Sequence, residues 1–198
     1  MRCAITNYNR LMNCDASDVS VIDAQRGSKP GALPTCLIVL TPITTADRRI
    51  EYCLALARDN MQPYLARRGQ EFDETRWRNL APQASFFLIN DVNLAVHQTV
   101  GFLSVRDEPD SAHALHIGDV QLEEEQRNRG AGRATLALVE SMALSRGLNE
   151  LTLNVFRDNP ALRLYERFGF RCIDTQFDKH KMRKTLARSQ TLNFTREK

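Results

Sequence analysis

Between Gln121 and Gly147 the chain reads "QLEEEQRNRGAGRATLALVESMALSRG", and its character changes twice within that run. A strand ends at Leu122. A turn then carries three carboxylates, three arginines and two glycines. Helical periodicity follows from Gly132 to Arg146, with Leu136, Val139, Met142 and Ala143 on one stripe and Gly147 placed as a C-cap. A strand that feeds a helix through a glycine turn leaves several backbone N–H groups unpaired at the helix start, with the helix dipole behind them, and such an end is an anion site. Gly130 and Gly132 let a ligand approach the backbone, and Arg127, Arg129 and Arg133 add positive charge for phosphates. The acids of this run lie on the strand side. The same stretch also fits an ordinary strand-to-helix turn with solvated charges, and taken alone it leaves both readings open. Two phosphate-binding patterns are excluded. The P-loop G-x-x-x-x-G-K-[ST] is absent, and a G-x-G-x-x-G/A fingerprint begun at Gly130 meets Thr135 at its third glycine position. The next strand offers Asn154 and Phe156 where that fingerprint needs a ribose-binding acid.

The rest of the chain supplies the elements around this turn. Residues 1–35 are polar, end in "AQRGSKPGALP" and read as an irregular, partly disordered leader. "CLIVLTPI" suits a buried strand. "TTADRRIEYCLALARDNMQPYLARRGQ" opens with a cap-like group and repeats its apolar spacing twice, first through Ile50, Cys53, Leu54 and Ala57 and again through Met61, Tyr64 and Leu65. Two short helices are expected there. "ASFFLIND", "TVGFLSVRD" and "HALHIGDVQL" predict an antiparallel meander, "ELTLNVF" a strand, "PALRLYERFG" a helix, and "FRCIDTQFD" with "KMRKTL" a closing strand pair. The expected organisation is one domain over residues 36–187, with a tail over 188–198.

Composition narrows the function classes. With 42% hydrophobic and 26% charged residues among 198, the chain reads as a soluble globular protein, and no apolar run approaches the roughly 18 residues of a membrane span. The start "MRCAITNYNRLMNCDASD" lacks the apolar core of a secretory signal, so a cytoplasmic location is expected. Cys3, Cys14, Cys36, Cys53 and Cys172 are odd in number and form no C-x-x-C pair; they read as free thiols, with no metal site. A net charge of +3 is too small to point to nucleic acid, and the five positive charges of "KHKMRKTLAR" fit a last strand with solvated lysines.

Two motifs then stand in order. "RNRGAG", Arg127 to Gly132, fits the pattern Q/R-x-x-G-x-G/A between a strand and a helix, and "NVFRDNPALRLYERFGF", Asn154 to Phe170, is similar to a strand followed by Asn, a short gap and "LYEKxGF". Together they resemble the GNAT superfamily of acetyl-CoA-dependent N-acetyltransferases, over roughly Cys36 to Leu186. The resemblance implies an α/β (α+β) fold in which a mixed, mostly antiparallel central sheet, flanked by helices, is splayed between its fourth and fifth strands. It implies acetyl-CoA as cosubstrate, with the pyrophosphate on the loop Arg127, Asn128, Arg129, Gly130, Ala131, Gly132 and Arg133. Pantetheine would pair like an extra strand with Val120, Gln121 and Leu122, with further contacts from Asn154, Asn159 and Tyr165. One departure is visible: only Pro160 separates Asn159 from Ala161 where relatives commonly have two residues, so either Asn159 or Asp158 fills the second-motif position.

The resemblance also implies roles in catalysis. Tyr165 matches the helix tyrosine that protonates the leaving thiolate, although a packed amphipathic tyrosine fits the same residue. Some relatives carry a strand Glu as base where this chain has Asn154, which cannot titrate. Asp119 and Glu123 are then the candidates, with His116 behind them and a water relay as the alternative. The acceptor pocket would be shaped by Met61, Tyr64, Phe72 and Trp77, above all Tyr64 and Trp77, while Asp59, Glu71, Asp73 and Glu74 could attract a cation. The implied activity is acetyl transfer to a primary amine, on a small molecule, a protein N-terminus or a lysine, with a homodimer left open. The alternative is a CoA-ester-binding or sensor module of the same fold without turnover.

Overall fold

The structure, a computed structural model, describes residues 36–93, 98–109 and 111–187. The readings made for the leader, the tail, Cys3 and Cys14 lie outside the described residues. The strands are β1 (Ile38–Ile43), β2 (Ser85–Asp91), β3 (Gln98–Asp107), β4 (Ala114–Leu122), β5 (Glu150–Phe156), β6 (Arg171–Gln176) and β7 (Lys179–Thr185). The helices are α1 (Ile50–Ala66), α2 (Glu74–Leu80), α3 (Ala131–Ser145) and α4 (Leu162–Arg167). Among the described residues the strands form one sheet in the order β1-β2-β3-β4-β5-β7-β6, antiparallel throughout except for the parallel pair β4–β5. None of the described helices is long and apolar enough to cross a membrane.

The strand period of two sends alternate side chains to opposite faces, and both faces are covered. Phe86, Leu88 and Phe102 pack with Ile50, Cys53, Leu56 and Ala57 of α1. Leu103, Val105 and Leu115 face the other way, toward Leu136, Val139 and Ala143 of α3. Double coverage explains why β3 is buried almost without interruption from Val100 to Val105 instead of alternating. Phe102 and Leu103 are both fully buried, each contributing roughly 2–3 kcal/mol. Cys36, Cys53 and Cys172 are free thiols. Burial pushes Cys53 up to about 12, and burial with the Asp91 carboxylate does the same to Cys36, so both stay protonated.

The expectation of two short helices over residues 44–70 is corrected: α1 is one helix of 17 residues with Pro63 inside it. Pro63 stands only three residues from the helix end, so it removes one ladder bond, while the sheet holds the buried face that precedes it. The second helix is α2, capped by Asp73, whose carboxylate accepts from the Arg76 N–H at 2.8 Å.

The parallel pair β4–β5 matches residue for residue only from Ala114↔Glu150 to Ile117↔Leu153. Beyond that point β4 runs on to Leu122 and β5 to Phe156 without pairing each other, so the sheet opens into a V. Gly118 marks the departure. Ser104 pairs with Asp119 and Val105 with Ile117, which makes Gly118 the extra residue of a bulge, and a bulge bends its strand. A Cβ at 118 would lie 2.7 Å from Ser104 Oγ, so a larger residue there would displace the hydroxyl that donates to Asp119.

At the closed end of the V sits a buried polar cluster. His116 Nδ1 lies 2.9 Å from Thr152 Oγ1 and 3.2 Å from Glu108 Oε2, and Thr152 donates to the same oxygen at 2.5 Å. Lys181 Nζ stands 3.6 Å from Glu108 Oε1. Burial, helped by the Arg106 charge, pulls the imidazole down to about 4 against the attraction of Glu108. The unfolded chain therefore binds a proton that the folded chain refuses between pH about 6.5 and 4. His116 contributes stability that is complete above pH 6.5 and lost as the pH falls through that window, about 3 kcal/mol in all. Urea unfolding at pH 7, 5.5 and 4.5 is expected to fall accordingly, and His116→Gln to flatten most of the slope. Equal slopes in the two proteins would remove the assignment.

Candidate active site

The open side of the V faces the start of α3. Gly130, its N-cap, has φ +97°, and Asn128 before it φ +60°, both left-handed, so the chain reverses sharply into the helix. The first bond of this turn runs from Ala134 N–H to Gly130 O at 3.0 Å. The N–H groups of Ala131, Gly132 and Arg133 precede that ladder and carry the positive end of the helix dipole. Arg129 and Arg133 are exposed beside them. Gly132 has a packing role as well: a Cβ there would lie 2.9 Å from Leu164 Cδ2, so glycine lets α3 meet α4.

The third arginine is committed elsewhere. Arg127 donates through Nε and Nη2 to the Leu122 carbonyl at 3.3 Å each, and through Nη2 to Asn60 Oδ1 at 2.5 Å. Asn60 Nδ2 in turn donates to the same carbonyl at 3.2 Å and to Gln121 Oε1 at 3.1 Å. These bonds tie α1, the end of β4 and the glycine turn together. Glu123 N–H donates to Val100 O at 3.0 Å, so by alternation the N–H and C=O of Val120 point away from β3, into the V. That edge can take an extended ligand as an added strand. Asn60 escaped the sequence reading although a signal existed: it continues the buried positions Cys53 and Ala57 at helical spacing, where an apolar residue is the rule.

Asp119, Gln121 and Glu123 share the α1 face of β4. Asp119 accepts from Ser104 Oγ at 2.8 Å and from Gln121 Nε2 at 3.3 Å. Burial nonetheless pushes its carboxyl above the usual range, against the pull of those two bonds and of Arg106. Tyr165 is buried on α4, edge-on to Phe170 with centroids 5.8 Å apart. Burial and the Asp119 charge push its phenol up to about 12, so it is protonated at neutral pH. Glu123 stands beside Tyr52 of α1, whose phenol is raised first by burial and then by Glu123. The Tyr52 hydroxyl is buried without a hydrogen-bond partner among the described residues.

The other predicted residues fall around this centre. Asn154 is exposed and opposite Lys181 of β7. Asn159 Oδ1 accepts from Ala161 N–H at 2.9 Å and so shapes the turn into α4, whereas Asp158 turns to α1, 2.8 Å from Arg67 and 2.9 Å from Arg68. Tyr64 stacks on Phe156 with centroids 6.2 Å apart, and Trp77 tilts against Phe86 at 5.4 Å. Met61 and Phe72 are half-buried, and Gln62 Oε1 accepts the Phe72 N–H at 3.0 Å. Three of the four acids offered for a cationic acceptor have local partners: Asp59 and Glu74 pair with Arg58 at 3.3 and 2.8 Å, and Asp73 caps α2. Glu71 is exposed.

Comparison with known proteins agrees with this architecture. Residues 53–170 match the family described as acetyltransferase (GNAT). An uncharacterized N-acetyltransferase, YycN of Bacillus subtilis (strain 168), is 35% identical over 82 residues, which are 40% of this chain and 53% of the relative. The chain thus spans about half the length of that curated relative. The crystal structure of YycN is 25% identical with a TM-score of 0.58, covering 71% of this chain and 96% of that one. PaiA N-acetyltransferase from Thermoplasma acidophilum, in complex with coenzyme A, is 18% identical with a TM-score of 0.58, covering 75% and 98%. The last shows likeness of fold, and the fold is the one expected: helices on both faces of a mixed sheet that is splayed between its fourth and fifth strands.

Proposed function

The chain belongs to the acetyltransferase (GNAT) family, and from that premise we propose that it moves the acetyl group of acetyl-CoA directly to a primary amine. One observation carries the reading: the unladdered N–H groups at the start of α3 and the free edge of Val120 open on the same V that holds Asp119 and Tyr165. The donor set suits the cosubstrate. Backbone N–H groups with Arg129 and Arg133 match a pyrophosphate, and the Val120 edge matches the amides of pantetheine. A thioester threaded through the V would meet the acceptor on the α1 face, and holding the two in near-attack geometry supplies much of the acceleration.

The proton steps then divide between two residues. Asp119 takes a proton from the acceptor ammonium, freeing the nitrogen lone pair. The amine attacks the acetyl carbon; the C–N bond forms and the C–S bond breaks. Tyr165 gives its phenolic proton to the departing thiolate, and the second proton, shed by the attacking nitrogen as it becomes the amide, returns to the tyrosinate through solvent. The raised pKa of Asp119 makes it a stronger base than an ordinary carboxylate, and the raised pKa of Tyr165 keeps its proton in place until sulfur needs it.

Free-thiol release from acetyl-CoA over a panel of amines tests the reaction. In Arg133→Ala, KM for acetyl-CoA is expected to rise roughly 10-fold while kcat stays within about 2-fold, the pattern of a lost charge-assisted contact present equally in ground and transition states. Absence of both thiol release and thermal stabilisation by CoA would overturn the proposal.

A further inference from the structure

The open mouth of the V carries positive charge that the chemistry above does not use. A cavity of about 420 Å³ is lined by Arg67, Arg68 and Arg157 with Asp158 and Asp178. Arg68 Nη2 binds Asp158 at 2.9 Å and Asp178 at 2.5 Å, and its Nη1 reaches the Tyr64 carbonyl at 2.6 Å. Its Nε is buried without an acceptor among the described residues. The guanidinium lies 4.3 Å from the centroid of the Phe156 ring, and Lys179 Nζ lies 4.5 Å from the same centroid. Three arginines and one lysine therefore surround two carboxylates. Arg157 is exposed and, among the described residues, its guanidinium has no protein partner. Burial first, and then the charges of Arg76 and Arg68, hold the Lys179 ammonium below the usual range.

We propose that this cavity binds the anionic group of the acceptor, and that the acceptor is a small amine that also carries a carboxylate or a phosphate. The inference rests on the acetyl-transfer reading, because it assigns the cavity to the second substrate. Position supports it. Pairing of β4 with β5 ends at Ile117↔Leu153; Asp119 lies two residues beyond on one strand and Arg157 four beyond on the other. The cavity is thus about 7 Å further along the open side than the base, at roughly 3.3 Å per strand residue. A few bonds span that distance. The cavity has ample room for an anionic group, and a guanidinium fork with a free face matches the paired oxygens of carboxylate or phosphate. The same cations disfavour a polyamine, whose second ammonium would sit among them.

Matched amines read the assignment. Thiol release by the full chain at saturating acetyl-CoA is to be compared for ethanolamine against O-phosphoethanolamine, and for propylamine against β-alanine. The charged member of each pair is expected to show kcat/KM about 10-fold higher or more, the worth of a charge-assisted contact, and Arg157→Gln to reduce that ratio to about 2 with CoA binding unchanged. A ratio near one in the wild-type protein, or an undiminished ratio in Arg157→Gln, overturns the proposal and leaves acetyl transfer standing. If only the phosphate pair or only the carboxylate pair responds, that group is the one held. Should no amine be acetylated, it is the transfer reaction that fails. The cavity is then read by the thermal shift that O-phosphoethanolamine produces: a shift lost in Arg157→Gln keeps the anion site, and no shift overturns it.

Discussion

Replacing Tyr165 with Phe is expected to lower kcat by roughly 10- to 10,000-fold, the range of lost general-acid catalysis with solvent as a partial substitute. The substitution keeps the ring, its edge contact with Phe170 and its buried volume, so thermal stability and the affinity for CoA should change little. No hydrogen bond to the protein is lost among the described residues, because none is made by this hydroxyl. A tyrosine kept only for packing predicts the opposite pattern, a loss of stability with kcat intact. The measurement is kcat at saturating amine and acetyl-CoA, with chemistry shown by single turnover to limit the rate. Wild-type kcat in that experiment would end the general-acid assignment.

How much of this was legible beforehand depends on the range of each interaction. β5 matched its sequence signal residue for residue, since "ELTLNVF" is bounded by Gly147 on one side and by "DNP" on the other. α3 was equally plain, because its stripe and its Gly147 cap are local; Gly147 indeed sits at φ +74° and Leu148 N–H returns to Ala143 O at 2.9 Å. The sequence reads α1 as two helices because the apolar spacing restarts after Ala57, while the sheet that overrides this restart is distant in sequence. α2 has seven residues, too few to show a period, and the sequence reading does not find it.

The site divides along the same line. Gly130, Gly132 and the arginines were visible as a strand-to-helix turn, but that Arg127 would be spent on Asn60, 67 residues away, was not. Likewise Asp158 could be placed next to the second motif, yet its partners Arg67 and Arg68 stand about 90 positions earlier, and only folding brings them together. The V itself depends on the Gly118 bulge, a register change that leaves no mark in the pattern of apolar residues around it.

Asp119→Asn offers the sharper test of the centre, because the side chain keeps its shape and one oxygen for the Ser104 hydroxyl, bonded at 2.8 Å, while it can no longer take a proton. A fall in kcat/KM of about 100- to 10,000-fold is expected. The sign of the pH dependence follows from the raised carboxyl. In the wild-type protein kcat/KM rises as Asp119 loses its proton and levels off above its pKa, which burial has moved up from the ordinary carboxylate value. The variant should lack that acid limb and retain only the dependence set by ionisation of the amine itself. A second readout does not pass through activity. Since the Asp119 charge helps to hold the Tyr165 phenol up, Asp119→Asn should move the tyrosinate absorbance titration of Tyr165 toward lower pH, and the shift should be absent when Tyr165 is Phe. Glu123→Gln is the control, for Glu123 lies on the same face but beside Tyr52. Loss of the acid limb in Glu123→Gln with an intact limb in Asp119→Asn would transfer the role of base to Glu123 and leave Asp119 as the residue that keeps Tyr165 protonated.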